Sequence, residues 1–146
     1  YLELEHVVTF TGNLTKFAIA DLLDHTNAFA FPSRFETFGV SVIEALARGC
    51  PVVVTSSGGP ETFVTSDDGI VIQPENEHQL VDALQSIYKN YEKYDSEKIS
   101  RIANSRFGSA EFMKHMNEAY SEVLIIRDAL DFVSDQTKPD SKHKSD

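Results

Sequence analysis

Short apolar segments alternate with amphipathic segments along the first half of the chain. Residues 6–10, 28–31, 51–55 and 69–74 are rich in β-branched or aromatic side chains and end at turn-forming residues, which predicts four strands. The segment at 51–55 is the clearest of the four, because its consecutive valines leave no polar face. A strand of this kind is typical of a parallel sheet that is covered on both faces.

The remaining segments show the apolar spacing of helices. Thr15 and Ser109 are the predicted N-caps of two of them, because a hydroxyl at this position accepts a hydrogen bond from the first turn. Helices are predicted over 15–25, 39–48, 75–90, 96–107 and 109 to about 132, with a short helical turn near 61–64. Alternating strands and helices predict an α/β fold, a Rossmann-like parallel sheet with flanking helices.

Three polar turns follow predicted strands, at 11–13, 32–39 and 56–60. Ligands of open α/β sheets bind outside the carboxyl ends of the strands, so we expect these turns to lie at one edge and to hold a ligand. Residues 1–131 form the predicted domain. Residues 132–146 are polar and charged, which predicts a disordered tail.

Composition narrows the class of protein. The 146 residues suit one domain, and a formal net charge of −10 argues against a surface that binds DNA or RNA. The single cysteine, Cys50, excludes an internal disulfide and suits the reducing cytoplasm. No segment is long and apolar enough to predict a membrane span. Because the chain begins at Tyr1 without an initiator methionine, we expect it to be a piece of a longer protein.

The richest chemistry lies in residues 35–49, where Gly39 begins a predicted helix. Backbone N–H groups at a helix N-terminus suit a phosphate, and a residue without Cβ allows a close approach. The N–H groups of Phe38, Gly39 and Val40 are therefore candidates to hold a diphosphate. The alternative is a strand-to-helix turn in which Gly39 serves geometry alone.

Two carboxylates flank this helix start. Glu36 precedes it, and Glu44 lies about one and a half turns inside the helix. Glu36 could instead interact with the helix dipole, and Glu44 could face solvent and pair with Arg48. The apolar neighbours of Glu44 favour a ligand partner, because an unpaired carboxylate among them would be costly. A glycosidase with this pair as acid and nucleophile is a weaker alternative, since the two residues do not obviously face across one bond.

The spacing of Glu36 and Glu44, with seven residues between them, resembles the motif of retaining GT-B glycosyltransferases of family four, or glycosyl transferases group 1. That group includes sucrose synthases, glycogen synthases and bacterial mannosyl- and glucosyltransferases. The similarity lies in their C-terminal nucleotide-sugar domain and covers residues 6–128. Other matching segments are 10–12, 32–34, 45–53, 57–61 and the strand that begins at Gly69.

The resemblance implies a role for each matching residue. Glu36 is similar to the catalytic carboxylate near the donor sugar, and Glu44 to the residue that binds the ribose hydroxyls. Phe38, Gly39 and Val40 are similar to the backbone cradle for the sugar and its diphosphate, and residues Gly12, Asn13 and Leu14 to the vicinity of the nucleobase. The implied reaction is retaining transfer from a nucleoside-diphosphate sugar, without a metal or other cofactor, in the cytoplasm, as in cell-surface polysaccharide biosynthesis.

The chain also departs from the family pattern. A first strand–helix unit, with an arginine and a lysine that neutralise the diphosphate, would precede Tyr1, as would the N-terminal acceptor domain. We therefore expect only part of an active site here, and any peripheral membrane association only through the missing half. The alternative function is a non-catalytic GT-B-like accessory domain that supports a partner glycosyltransferase.

Overall fold

The computed structural model describes residues 3–136, with side-chain environments for residues 3–127. The chain divides into two compact units, Tyr1–Arg106 and Phe107–Asp146. The strands are β1 (Phe29–Phe31), β2 (Val52–Thr55) and β3 (Gly69–Ile72). The helices are α1 (Lys16–Asp24), α2 (Val40–Ala47), α3 (Glu77–Lys89), α4 (Ser96–Phe107) and α5 (Ser109–Gln136), with 3₁₀ turns at Pro60–Thr62 and Tyr91–Lys93.

The three strands form one parallel sheet in the order β1-β2-β3. In register, Ala30 lies opposite Val53, and Val53 lies opposite Ile70. Because β2 is the central strand, both of its edges are hydrogen-bonded and all four of its residues are buried. The predicted α/β class is confirmed: the first unit is a Rossmann-like parallel sheet with flanking helices.

The core lies on β2 and on the apolar faces of the helices. Ala83 and Ile87 of α3 pack against Val53 and Ile72 of the sheet. Helix α2 buries one face, made of Val42, Ala45 and Leu46. The apolar spacing of α3 therefore predicts the buried Ala83 and Ile87, whereas Val81 and Tyr88, which belong to the same spacing, are 52% and 86% exposed.

The predicted first strand, at residues 6–10, is wrong. These residues form a turn and irregular backbone, and the amides of Val7 and Val8 both donate to the carbonyl of Leu4, at 2.9 Å each. Val7 and Phe10 are 66% and 95% exposed. No strand lies beside the segment within residues 3–136. Its β-branched side chains therefore do not make it a strand, because no neighbouring backbone is there to form inter-strand hydrogen bonds. The turn at 11–13 accordingly follows no strand in the described part of the chain.

Several helix ends differ from the prediction by a few residues. Thr15 caps α1 as predicted, its Oγ1 accepting from the amide of Ala18 at 3.3 Å. Helix α3 begins after Asn76, because Glu75 has φ 58° and cannot be helical. Helix α5 begins at Ser109, the predicted N-cap, and runs to Gln136, so residues 132–136 of the predicted tail are helical. Residues 137–146 of that tail lie outside the described residues. Among the described helices, none is both long and apolar enough to cross a membrane.

Candidate functional site

The loops that follow β1 and β2 extend the pairing of those strands beyond their ends. Glu36 and Gly58 form an isolated parallel bridge, and the amide of Glu36 donates to the carbonyl of Ser57 at 3.1 Å. The Thr55 hydroxyl donates to the carbonyl of Ser33. The two loops therefore form one surface at the carboxyl edge of the sheet, as the sequence predicts for 32–39 and 56–60.

Two glycines allow this close approach. Gly58 has φ 125°, a conformation that side-chain-bearing residues rarely adopt. A Cβ on Gly59 would lie 2.7 Å from both the Cα and the amide nitrogen of Phe38. The backbone of Phe38, a candidate site residue, therefore contacts the loop that follows β2, which we call the second loop.

Helix α2 begins at this surface. Its N-cap is Gly39, with φ 88°, and a Cβ there would lie 2.9 Å from Cγ of Pro60. Gly39 is thus required by the turn geometry, which was the alternative interpretation. The amides of Val40 and Ser41 nevertheless have no hydrogen-bond acceptor among residues 3–136. The helix start can therefore still bind an anion.

Glu36 accepts a hydrogen bond from another backbone amide just before this helix start. Its Oε1 accepts from the amide of Phe38 at 3.1 Å. This hydrogen bond is the largest influence holding the carboxyl pKa of Glu36 below its ordinary value, and the backbone N–H groups of Gly39 and Thr37 act in the same direction. The carboxylate is therefore an anion at neutral pH and occupies part of the cradle that the sequence assigns to a diphosphate.

Glu44 lies on the exposed face of α2. It is one helical turn from Val40, about 6 Å along the axis, and that residue is 61% exposed. The expectation of an apolar surround is wrong: Glu44 is exposed, whereas the buried Val42 and Leu46, two positions before and after it, point to the opposite side of the helix. Pairing with Arg48 is also absent from the described structure, where Arg48 bonds Asp24 at 3.2 Å. Glu44 has no partner among the described residues and is open to a ligand.

Glu61 contributes to the site and is missing from the sequence-based candidates. Its Oε1 accepts from the amide of Gly58 at 2.7 Å, which fixes the second loop. Its Oε2 is buried and has no partner within residues 3–136. One feature of the sequence could have identified Glu61. It lies in the first turn of a short helix that follows two glycines, a position where a carboxylate can accept hydrogen bonds from free backbone N–H groups.

The structure does not bring residues Gly12, Asn13 and Leu14 into hydrogen bonding with these loops in the described part of the chain. All three are exposed. Arg34, a cation in the loop that follows β1, forms an exposed ion pair with Glu75 at 2.8 Å. Together they line a shallow cavity next to Phe35 and Ser57.

No cluster of three or more potential metal ligands occurs among the described histidine, cysteine and acidic residues. The thiol of Cys50 is 2% exposed, and burial raises its pKa to about 11. It is therefore a protonated packing group at neutral pH rather than a nucleophile.

Comparison with known sequences identifies the relatives of this chain. It is 33% identical over 107 residues to sucrose synthase from Solanum tuberosum, an alignment that covers 71% of this chain and 13% of that protein. It is 42% identical over 57 residues to a probable sucrose-phosphate synthase 1 from Craterostigma plantagineum, covering 38% of this chain and 5% of the relative. The chain therefore matches only a small part of these curated relatives.

Solved structures share the fold. Sucrose-phosphate synthase from Thermosynechococcus elongatus superposes with a TM-score of 0.77 at 25% identity, covering 84% of this chain and 32% of that one. Anabaena HepE, in complex with UDP and glucose, gives a TM-score of 0.74 at 25% identity, covering 82% of this chain and 33% of HepE. Because the profile of the family "Glycosyl transferases group 1" also matches residues 1–104, the chain belongs to that family and carries part of its GT-B fold.

Proposed function

We propose that this chain is the donor-binding part of a retaining glycosyltransferase of family four. The enzyme would move a hexose from a nucleoside-diphosphate sugar to an acceptor hydroxyl. The observation that carries the proposal is the start of α2, where unpaired backbone amides and two carboxylates lie at the carboxyl edge of a parallel sheet. A uridine nucleotide is the first donor to test, because the HepE structure holds UDP and glucose.

In this proposal the backbone of Phe38, Gly39 and Val40 binds the sugar and its diphosphate. Negative charge grows on the diphosphate as the bond to the sugar breaks. Fixed N–H dipoles that point at this charge lower the barrier, because they need no rearrangement during the reaction. The anomeric configuration is retained, and the donor phosphate helps to remove the proton of the acceptor hydroxyl.

The two carboxylates then serve different ends of the donor. Glu44, exposed and unpartnered in the described structure, accepts hydrogen bonds from the ribose hydroxyls. Glu36 lies nearer the helix start and faces the sugar. Because Glu36 now accepts from the Phe38 amide, donor binding would exchange this contact for one to a sugar hydroxyl and release the amide to the ligand.

Single substitutions in the full-length enzyme test these roles. Glu44→Ala should weaken UDP binding about tenfold or more, as expected for hydrogen bonds to a charged acceptor, and change kcat little. Glu36→Ala should lower kcat about 100-fold with a smaller change in UDP affinity. Calorimetry gives the affinity for UDP, transfer assays with UDP-, GDP- and ADP-sugars give the rates, and NMR of the product gives the anomer.

Glu97→Ala is the matched control, because Glu97 is exposed in the first turn of α4. It should leave affinity and rate unchanged. Wild-type behaviour of both Glu36→Ala and Glu44→Ala would refute the site, and an inverted product would refute the retaining mechanism. If UDP affinity is intact but no donor sugar is transferred, the accessory-domain alternative is favoured.

A further inference from the structure

The second loop carries a carboxylate to which the proposed function assigns no role. Glu61 lies in the 3₁₀ turn Pro60–Thr62, and its Oε1 accepts from the amide of Gly58 at 2.7 Å. Its other oxygen, Oε2, is buried and has no hydrogen-bond partner within residues 3–136. A buried oxygen without a partner costs free energy. The favourable contribution of the Glu61 carboxylate to this surface is therefore its hydrogen bond to Gly58.

Gly58 is the residue at which the second loop meets Glu36. The two residues form the isolated parallel bridge, and the amide of Glu36 donates to the carbonyl of the preceding residue, Ser57, at 3.1 Å. A Cβ on Gly58 would lie 2.8 Å from the carbonyl oxygen of Glu36, so the two backbones are in direct contact. A displacement of Gly58 would therefore move the backbone that carries the Glu36 carboxylate.

The next part of the second loop is held by contacts that do not involve the Glu61 side chain. The amide and the hydroxyl of Thr62 both donate to the carbonyl of Gly59, at 3.0 and 2.6 Å. Gly59 is itself buried. Loss of the Glu61 carboxylate should therefore loosen Gly58 and its neighbour Glu36 while the turn that follows them stays in place.

We propose that Glu61 is a positioning residue for sugar transfer, because it holds Gly58 and thereby fixes the place of the Glu36 carboxylate. This inference rests on the proposed function, in which Glu36 faces the donor sugar. A shift of a reacting group by about 1 Å can lower a rate about 100-fold. The role requires an acceptor oxygen on residue 61 and not its charge, since a further negative charge beside a diphosphate would oppose binding.

Two substitutions of Glu61 in the full-length enzyme test this role by transfer assays and calorimetry with UDP. Glu61→Ala should lower kcat about tenfold and change UDP affinity less than about threefold, because the amides at the start of α2 remain. Glu61→Gln keeps an acceptor oxygen and should restore kcat to within about threefold of the wild type. Asp95→Ala is the matched control, since it removes a similar acceptor, for the Lys98 amide at 2.9 Å, and should leave kcat unchanged. Equal loss of kcat in the alanine and glutamine variants, or none in either, would overturn the proposal.

A double-variant cycle tests whether Glu61 acts through Glu36. In the Glu36→Ala enzyme, the further change Glu61→Ala should lower kcat less than about twofold, because the group that Glu61 positions is gone. Additive losses of kcat would overturn the proposal.

Hydrogen exchange separates failure of this proposal from failure of the proposed function. Glu61→Ala should quicken exchange of the Gly58 and Glu36 amides, whatever reaction the enzyme catalyses. Quickened exchange together with a fully active Glu36→Ala enzyme would refute the proposed function. A Glu36→Ala enzyme with reduced kcat, together with unchanged exchange in Glu61→Ala, would overturn the positioning role alone.

Discussion

Strand β2 and residues 6–10 have similar side chains but different structures. Both contain paired valines and a threonine, yet β2 is buried along its whole length and hydrogen-bonded on both edges. Residues 6–10 are exposed, and their backbone does not pair with a strand in the described part of the chain. The two segments differ in their neighbours rather than in their composition.

Backbone hydrogen bonding explains why neighbours decide the outcome. An extended segment leaves its N–H and C=O groups for other strands, whereas a turn satisfies them locally. The amides of Val7 and Val8 bond Leu4 in this local way, while β2 lies between two parallel partners. Whether a segment forms a strand therefore depends on the strands beside it. Three matched pairs of substitutions can test how far these regions differ in stability.

A matched pair of glycine substitutions should show the largest difference in the free energy of unfolding between the sheet and the N-terminal segment. A Cβ on Gly69 would collide with the backbone carbonyl of Val52, so Gly69→Ala must push β3 away from β2. We expect it to lower the free energy of unfolding by about 3 kcal/mol. Gly12→Ala, where φ is 63° and no atom lies within 4 Å, should cost only about 1 kcal/mol. Urea denaturation measures both, and equal costs would contradict the difference between the regions.

Truncation of one valine in each segment is the next test. Val53 is 1% exposed and contributes to the core, so Val53→Ala should lower the free energy of unfolding by about 2 kcal/mol through lost burial and a cavity. Val7, 66% exposed, should change it by less than about 0.5 kcal/mol when replaced by alanine. Thermal unfolding followed by circular dichroism provides the comparison. A large effect of Val7→Ala would mean that residues 6–10 are packed in solution.

The smallest expected effect lies where regular structure begins. Thr15→Ala removes the oxygen that accepts from the amide of Ala18, and should cost about 1 kcal/mol of helix stability. Thr11→Ala is the control, because Thr11 is exposed and precedes the cap. Hydrogen exchange of the α1 amides should quicken only in the Thr15 variant. Equal quickening in both would place the boundary of ordered structure nearer the N-terminus.

The donor-site candidates show the same dependence on surroundings. The sequence correctly predicts a helix that starts at Gly39, and the positions of Glu36 and Glu44 predict contacts with different parts of one ligand. The predicted apolar surround of Glu44 is absent, because the buried Val42 and Leu46 occupy the opposite face of α2. The sequence assigns no site role to Glu61, because its partner, the amide of Gly58, is brought to it by the path of the loop.

The sequence by itself determined the α/β class, the helix starts at Thr15 and Gly39, and the family that the spacing of Glu36 and Glu44 resembles. These follow from local rules of capping, glycine conformation and periodicity. Only the tertiary structure decided that residues 6–10 form no strand and that Gly59 packs against the backbone of Phe38. It also decided that the carboxylate of Glu36 accepts a hydrogen bond from the Phe38 amide. The reason is physical: each of these outcomes depends on which backbone groups residues distant in sequence bring within hydrogen-bonding or contact distance.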